Sequence, residues 1–461
     1  MLDAMTPEDV ADLVATLRTV HASGRTRPVE WRLAQLNGLE RMVNEHEADI
    51  AAALADDLGR SAAEAWISDI MPSLGEVTYA RKHLKAWMRP RRTRLPLNQL
   101  PARGWIQYEP LGVVLVISPW NYPFYLALSP LVGALAAGNC VIVKPSEVAP
   151  ATSALLADLV PKYVDPEAVV VVEGDGDTSQ ALLAQGFDHV LFTGGTEIGR
   201  KILAAAAPTL TPVTLELGGK SPVIVAADAD LGVAARRIAW LKLMNSGQTC
   251  LAPDYLLVDR SIRDAFVETL LATFAEFRAE APGAGMPIVN ERQFQRLVGY
   301  LEATKGTIAV GGTVSEADRT VQPTVILDPD PDEPAMCEEI FGPLLPVVTV
   351  DDIDDAIRIV NDRPKPLAVY AFTGSKAVRK RIVDEVPAGA VVINHIAMHV
   401  LIPQLPLGGV GESGMGGYHG EWGFQTFSHR KSVLAKTARP DPRFVYPPYT
   451  QRALALMRRM F

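Results

Sequence analysis

The chain has 461 residues, of which 48% are hydrophobic and 21% charged, the balance of a globular protein with roughly two to four domains. A net charge of −9 argues against nucleic acid as the main partner. Three cysteines without a CxxC fit a reducing compartment, and no apolar run approaches the ~20 residues of a membrane span.

The acidic start MLDAMTPEDVADL lacks the basic end and apolar core of a signal peptide, so a cytoplasmic protein is expected. Thr6, Pro7 and Asp9 form a helix start, with a cap, a proline at the first turn and an acid at the positive end of the dipole. Leu33, Leu36, Leu39 and Val43 recur at helical spacing and predict one amphipathic helix over 28–58. A second helix is predicted over 60–89. The basic run Arg81 to Arg94 reads as its solvated face. Pro90, Pro96 and Pro101 then break the chain, and Gly104–Glu109 alternates like a short strand outside the main core.

From residue 111 apolar strand-like runs alternate with helical stretches. The runs are 111–118, 139–146, 168–174, 189–194 and 212–217. Short buried strands separated by helices predict an α/β fold with a doubly wound parallel sheet. Such sheets bind ligands at the carboxyl ends of their strands, where PWNYP, KPSE, TGGTEIG and ELGG fall. A second α/β unit starts after 220, with a helix over 230–246, a turn at Cys250 and a helix over 261–280. The glycine-rich stretch Leu405–Gly420 reads as a loop laid against a ligand or another backbone. The tail from Gln451 to Phe461 mixes Leu and Met with Arg452, Arg458 and Arg459, and a packed or frayed tail is favoured over a membrane contact.

Each candidate for chemistry has a plain structural alternative. Cys140 opens an apolar run and Cys337 precedes two acids that oppose thiolate formation. Cys250 instead sits among Ser, Gly, Gln and Thr in MNSGQTCLAPDY, either as a nucleophile or as an inert thiol. No histidine lies in a motif pointing to it. Glu216, at the end of PVTLEL, looks exposed and is either a base facing the crevice or a surface carboxylate. Asn121 in SPWNYP is an oxyanion donor or a cap. The turn Gly194–Gly199 can receive a phosphate at a helix N-terminus, but it is not GxGxxG, so no ordinary Rossmann binding mode is expected. His395 and His399 are four apart, but the glutamate of HExxH is missing, and no metal is expected.

Taken together, SPWNYP, KPSE, FTGGTEIGR, LELGGKSP, GQTCLAPDY, EEIFGPLLP and LGGVGESGMG resemble the NAD(P)-dependent aldehyde dehydrogenases. GQTCLAPDY and GMGGYHG are most similar to the class 3 branch, with its fatty and aromatic aldehyde enzymes. The resemblance implies a Rossmann-type cofactor domain over 1–91 and 111–216 and an α/β catalytic domain over 217–425. It also implies small β bridging arms at 92–110 and 426–440, and a tail over 441–461. Cys250 takes the nucleophile's place, Glu216 the base's, and Asn121 forms the oxyanion hole with the Cys250 N–H. Trp120, Lys144, Glu147, Gly194, Gly195, Thr196, Gly199, Leu217, Glu339 and Phe341 match cofactor contacts. Tyr122 and Met244 line the aldehyde tunnel, and residues around 397–405 shape its mouth.

The implied reaction oxidises a medium or long aliphatic or aromatic aldehyde to the acid through a Cys250 thioester. Glu147 favours NAD, with NADP possible. A homodimer and no membrane span are further implications. A CoA-acylating relative is disfavoured by Glu216, because hydrolysis needs a base at that place. A silent relative is disfavoured by the intact Cys250, Glu216 and Asn121.

Overall fold

The computed structural model describes residues 6–280 and 286–460. Its first helix, α1 (Pro7–Ala22), starts on a reciprocal cap between Thr6 and Asp9 and buries Val10, Val14 and Leu17. The helix expected over 28–58 is two helices, α2 (Val29–Glu45) and α3 (Glu47–Leu58). His46 breaks them with φ −118° and ψ 26°, and its ring bridges the Asp49 carboxylate at 2.7 Å and the Tyr163 hydroxyl at 3.0 Å. The helix expected over 60–89 is α4 (Ala62–Ala65) and α5 (Met71–Trp87), joined by a π-helical turn over Trp66–Ile70. Such turns carry an extra residue and mark functional sites.

Two arm strands follow, β1 (Arg91–Thr93) and β2 (Ala102–Pro110). The chain then builds β3 (Val113–Ile117), α6 (Tyr125–Ala137), β4 (Cys140–Lys144), α7 (Pro150–Tyr163) and β5 (Val169–Val171). After α8 (Gly176–Leu183) it returns with β6 (His189–Thr193), α9 (Thr196–Ala206) and β7 (Val213–Glu216). Every residue of β3, β4 and β6 is buried, which is why the sequence reads there as runs dominated by Val, Ile and Leu, unbroken in β3. Strands β7, β6, β3, β4 and β5 are parallel in that order. The strand order reverses between β3 and β6, so the loops after Ile117 and Thr193 flank the switch-point crevice.

The second unit contains β8 (Pro222–Val225), α10 (Leu231–Leu243), β9 (Tyr255–Asp259), α11 (Arg263–Glu280), α12 (Glu291–Ala303) and β10 (Thr307–Val310). A hairpin, β11 (Val314–Ser315) and β12 (Thr320–Val321), precedes β13 (Thr324–Leu327) and α13 (Pro334–Cys337). Then come β14 (Leu344–Val350), α14 (Ile353–Asn361), β15 (Ala368–Phe372), α15 (Lys376–Glu385) and β16 (Ala390–Ile393). They form a seven-stranded sheet in the order β10-β13-β14-β9-β8-β15-β16, antiparallel only at β10.

The glycine-rich stretch is laid on backbone. Its β17 (Gly414–Met415) adds an antiparallel edge to the first sheet, opposite Leu215 and Glu216. A side chain at Gly409 would start 1.9 Å from the Ser413 carbonyl oxygen, so only glycine packs there. Helix α16 (Gly420–Thr426) leads to β18 (Ser428–Lys436), which pairs with β2 along nine residues and closes a three-stranded arm sheet. The tail is a helix over its described residues, α17 (Gln451–Met460), with Ala453 buried; Phe461 lies outside them.

Candidate active site

Helix α10 stops at Leu243, short of the expected 246, because the chain turns left-handed. Asn245, Ser246 and Gly247 have φ of 52°, 49° and 70°. A Cβ at Gly247 would lie 2.3 Å from the Gly342 carbonyl oxygen, which requires glycine. At the two non-glycine positions the strained backbone is held by side chains. Asn245 Nδ2 donates to the carbonyls of Asn121 and Gln248, both at 3.0 Å, and Ser246 Oγ donates to Met286 O at 2.6 Å. Gln248 is fully buried: its amide donates to Asn245 O at 3.1 Å and accepts from Val289 N at 3.0 Å. This scaffold delivers Cys250 to a half-buried position.

Asn121 lies just past β3 and is buried. Its Nδ2 donates to Gln248 O at 3.1 Å. An amide nitrogen carries two hydrogens, so one remains for a ligand beside Cys250. Glu216 ends β7 and is 4% exposed, contrary to the exposure expected of it, because β17 covers that edge. Its Oε1 has no hydrogen-bond partner, and burial raises its pKa to about 8. Glu339 matches it: Oε1 is unpartnered, and burial foremost raises the group to about 8. Any Cβ at Gly218 would sit 2.0 Å from Glu339 Oε2, so the second glycine-rich turn makes room for this carboxylate. The Cys250 thiol is pushed up to about 12 by burial first, then by the charges of Glu339 and Glu216, while the N–H groups of Cys250 and Leu251 act the other way.

The loop carrying Glu339 is fastened to the cysteine loop. Lys220 pairs with Asp254 and donates to the carbonyls of Ala335 and Glu338, both at 2.8 Å. Asp254 Oδ2 in turn accepts from Ile340 N at 2.9 Å. Phe341 follows with φ 47°, and its ring meets Trp120 edge-on at 5.4 Å.

The expected cofactor residues line one strand-end edge. Gly194 sits against the Phe192 ring and Gly199 against Leu217, where Cβ atoms would approach within 2.4 and 2.7 Å. Gly195 caps α9 with no side-chain bond and open space around it, which leaves the first N–H groups of that helix for a phosphate. Thr196 Oγ1 bonds Glu412 O at 3.3 Å. Lys144, buried at the end of β4, holds Glu147 Oε2 at 2.7 Å, and Glu147 is half exposed. Orphaned carboxylate oxygens, an open helix N-terminus and a lysine–glutamate pair fit a dinucleotide with its ribose hydroxyls and pyrophosphate.

On the other side of Cys250 lies an apolar tunnel of about 100 Å³. Tyr122 and Met244 line it with Ile67, Leu126 and Trp240, and among the described residues no charged side chain does. Tyr122 OH and Thr249 Oγ1 satisfy one another at 2.6 Å. Of the segment 397–405, Ala397, Met398, Val400 and Leu401 line the tunnel, whereas Ile402 and Leu405 face solvent. His395 and His399 are not on an α-helix: His399 lies in a 3-10 turn, and the His395 ring turns back on the Ile396 backbone at 2.8 Å. Cys140 is buried and Cys337 exposed.

Sequence reasoning missed Arg60, Asp69, Asn245 and Gln248, all buried around the cysteine loop. Gln248 and Asn245 had a signal, because both sit inside the cysteine segment. Arg60 and Asp69 had none.

The sequence model described as "Aldehyde dehydrogenase family" matches residues 2–433. Rat "Aldehyde dehydrogenase family 3 member A2" is 46% identical, over 95% of this chain and 91% of that protein. Rat "Aldehyde dehydrogenase, dimeric NADP-preferring" is 45% identical, over 93% and 95%. Among solved structures, the "Substrate bound state of Staphylococcus Aureus AldH" superposes with a TM-score of 0.94 at 38% identity, over 98% and 99% of the two chains.

Proposed function

The chain belongs to the aldehyde dehydrogenase family, which oxidises aldehydes to carboxylic acids with NAD(P), and from that premise we propose that Cys250, Asn121 and Glu216 carry out the reaction. The observation that carries this reading is the position of Cys250 on the wall of an apolar tunnel and within reach of the charges of two carboxylates, buried Glu216 and half-buried Glu339.

Cys250 gives up its proton to water and attacks the aldehyde carbon as thiolate. The free N–H of Asn121 and the Cys250 backbone N–H stabilise the resulting oxyanion, each such donor being worth ~2.7–4 kcal/mol. When bound, NAD(P) would supply the hydride acceptor, and the acyl group that then remains on Cys250 is a thioester. Glu216 then draws a proton from water, and the hydroxide so formed attacks the thioester and releases the acid. Its carboxyl, raised to about 8 by burial, is basic enough for that step once ionised. Lys144 and Glu147 would hold the adenosine ribose, the N-terminus of α9 the pyrophosphate, and Glu339 the nicotinamide ribose. Trp120, Phe341 and Leu217 would offer the cofactor apolar surface.

The apolar tunnel favours medium or long aliphatic and aromatic aldehydes. Glu147 opposes a 2′-phosphate and makes NAD the preferred cofactor, with NADP accepted. A homodimer forms through the β2–β18 arm, whose sheet and flanking turn expose Leu97 and Leu434 at 87% and 58%. No helix among the described residues is long and apolar enough to cross a membrane. Free cysteines at Cys140, Cys250 and Cys337 make the cytoplasm the proposed location.

The test is a panel of aldehydes from acetaldehyde to long aliphatic and aromatic members, each assayed with NAD and with NADP. Reduction should be fastest with NAD and the longer or aromatic aldehydes. Absence of reduction with every aldehyde would remove the assignment.

A further inference from the structure

Arg60 and Asp69 form an ion pair whose side chains are 1% and 0% exposed. Neither belongs to the catalytic set above, and such a pair is costly to bury unless its remaining hydrogen-bonding groups are used. They are used on the loop that carries Asn121. Arg60 Nη2 donates to the Asn121 carbonyl, and the guanidinium lies 4.5 Å over the Tyr122 ring. Asp69 Oδ1 accepts from Tyr125 N at 2.9 Å. Ser68 closes the cluster, accepting from Arg60 Nη1 at 2.8 Å and donating to Asp69 Oδ2 at 2.9 Å.

The π-turn over Trp66–Ile70 accounts for this arrangement. It sets Asp69 inward against Arg60 while Ile67 and Ser68 stand on the tunnel wall. One rigid device thus fixes the oxyanion loop at its Asn121 carbonyl, at the Tyr122 face and at the Tyr125 amide. The Asn121 carbonyl is shared with Asn245 Nδ2 at 3.0 Å, so the same atom joins the π-turn to the cysteine loop.

We propose that Arg60, held by Asp69, is a positioning residue that fixes the Asn121 loop so that the amide reaches the oxyanion formed at Cys250. The inference rests on the reading of Asn121 as that donor. Arg60 touches no reacting atom and acts through the loop. Its planar fork matters, since it binds a carboxylate, a hydroxyl and a carbonyl while stacking on a ring.

The experiment is a double-mutant cycle on the full chain with NAD(P) and an aldehyde, read as the rate of the first-turnover NAD(P)H burst. Arg60→Lys keeps a cation opposite Asp69, but one ammonium cannot span all three partners. Its melting temperature should stay near that of the unaltered protein and its KM for NAD(P) should not move. Its burst rate should fall roughly 10- to 100-fold, the scale of a small misplacement in an active site. In an Asn121→Ala background the same substitution should cost less than about twofold more.

A folded Arg60→Lys variant with an unaltered burst rate would overturn the proposal. So would an equal loss with and without Asn121, which would place the effect of Arg60 elsewhere. Asn121→Ala with an intact burst would instead overturn the donor reading itself. If Arg60→Lys does not fold, Arg60→Gln with Asp69→Asn supplies a neutral, hydrogen-bonding pair for the same cycle.

Discussion

Cys250 has two unlike neighbourhoods. On the tunnel side the lining is mostly hydrocarbon and aromatic, and its hydroxyls have partners, Tyr122 with Thr249, Ser68 with Arg60 and Asp69, and Tyr125 with His419. On the cofactor side buried polar atoms stand without partners, among them one oxygen each of Glu216 and Glu339 and the hydroxyls of Thr193, Ser118 and Ser221. A buried oxygen without a partner costs ~1–3 kcal/mol, so the second neighbourhood is the less stable one. Under the proposed function the satisfied wall would receive a group that brings only apolar surface, and the unsatisfied wall one rich in hydroxyls, amides and water.

The sharpest break of this picture is at the shared boundary. Cys250→Ala should lower turnover by roughly a thousandfold or more, since the nucleophile cannot be replaced by either wall. A variant with near-normal turnover would end its role. Glu216→Gln acts on one wall only. The first-turnover burst should persist while the steady state slows by roughly 10²- to 10⁴-fold, because only thioester hydrolysis loses its base. Equal loss of both phases would put Glu216 before acylation. With Glu216 present, deacylation should rise with pH through about 8 as the carboxyl ionises. That limb should vanish in the Gln variant.

The same substitution weighs the cost of the polar wall. In the folded chain Glu216 keeps its proton to about 8, against 4.5 ordinarily. Between those values the folded state binds more protons than the unfolded one, so stability falls as pH rises and the loss is complete above about 8. Glu216→Gln should make that slope shallower, leaving the share of Glu339, whose carboxyl is also raised to about 8, and stabilise the protein by roughly 1–3 kcal/mol at alkaline pH, measured by denaturant unfolding at a series of pH values. An unchanged slope would mean that Glu216 is not the group responsible.

The two neighbourhoods also differ in how far the sequence revealed them. The parallel strands were legible because both their faces are buried and their residues are uniformly apolar, as in Val113–Ile117. The ends of those strands located Asn121, Lys144 and Gly194, since a doubly wound sheet has one ligand edge. Glu216 was legible as a residue at that edge but not as a buried one. The strand that covers it, Gly414–Met415, arrives from almost two hundred residues later, and two-residue pairing leaves no periodic signal. Helix breaks were equally opaque. His46 ends α2 through bonds to Asp49 and Tyr163, and the π-turn at Trp66–Ile70 depends on a partner, Arg60, outside its own periodicity. The left-handed turn at Asn245 and Ser246 is held by contacts with Asn121 and Met286, which local preference opposes. The roles of Cys250, Glu216 and Asn121 came from the resemblance, because local chemistry left each with an ordinary alternative.

On the apolar wall the test is steric. Val400→Trp should narrow the tunnel and lower kcat/KM for long aldehydes by roughly tenfold relative to acetaldehyde, about the loss of two buried methylenes. The ratio between long and short substrates is the measurement. A parallel fall for both would mean that Val400 supports the fold of the 397–401 turn and does not set length.

The smallest effect belongs to the solvent edge of the polar wall. Glu147 is 49% exposed and pairs with Lys144, whose side chain is 3% exposed. Exposed charges interact weakly across water, so Glu147→Gln should change folding stability by less than ~1 kcal/mol. Under the proposed function the charge it removes is nevertheless the one that would meet a 2′-phosphate, while Lys144 keeps its attraction for that group. The ratio of kcat/KM for NADP over NAD should rise by roughly three- to fivefold, which is the same energy read at a ligand. Added salt should shrink the change, because screening acts on exposed charges and leaves the buried carboxylate of Glu216 untouched. A ratio unmoved by the substitution at low salt would show that cofactor preference is set elsewhere on the α9 turn. The contrast would then lie between two parts of the polar wall, an inert rim and a discriminating floor.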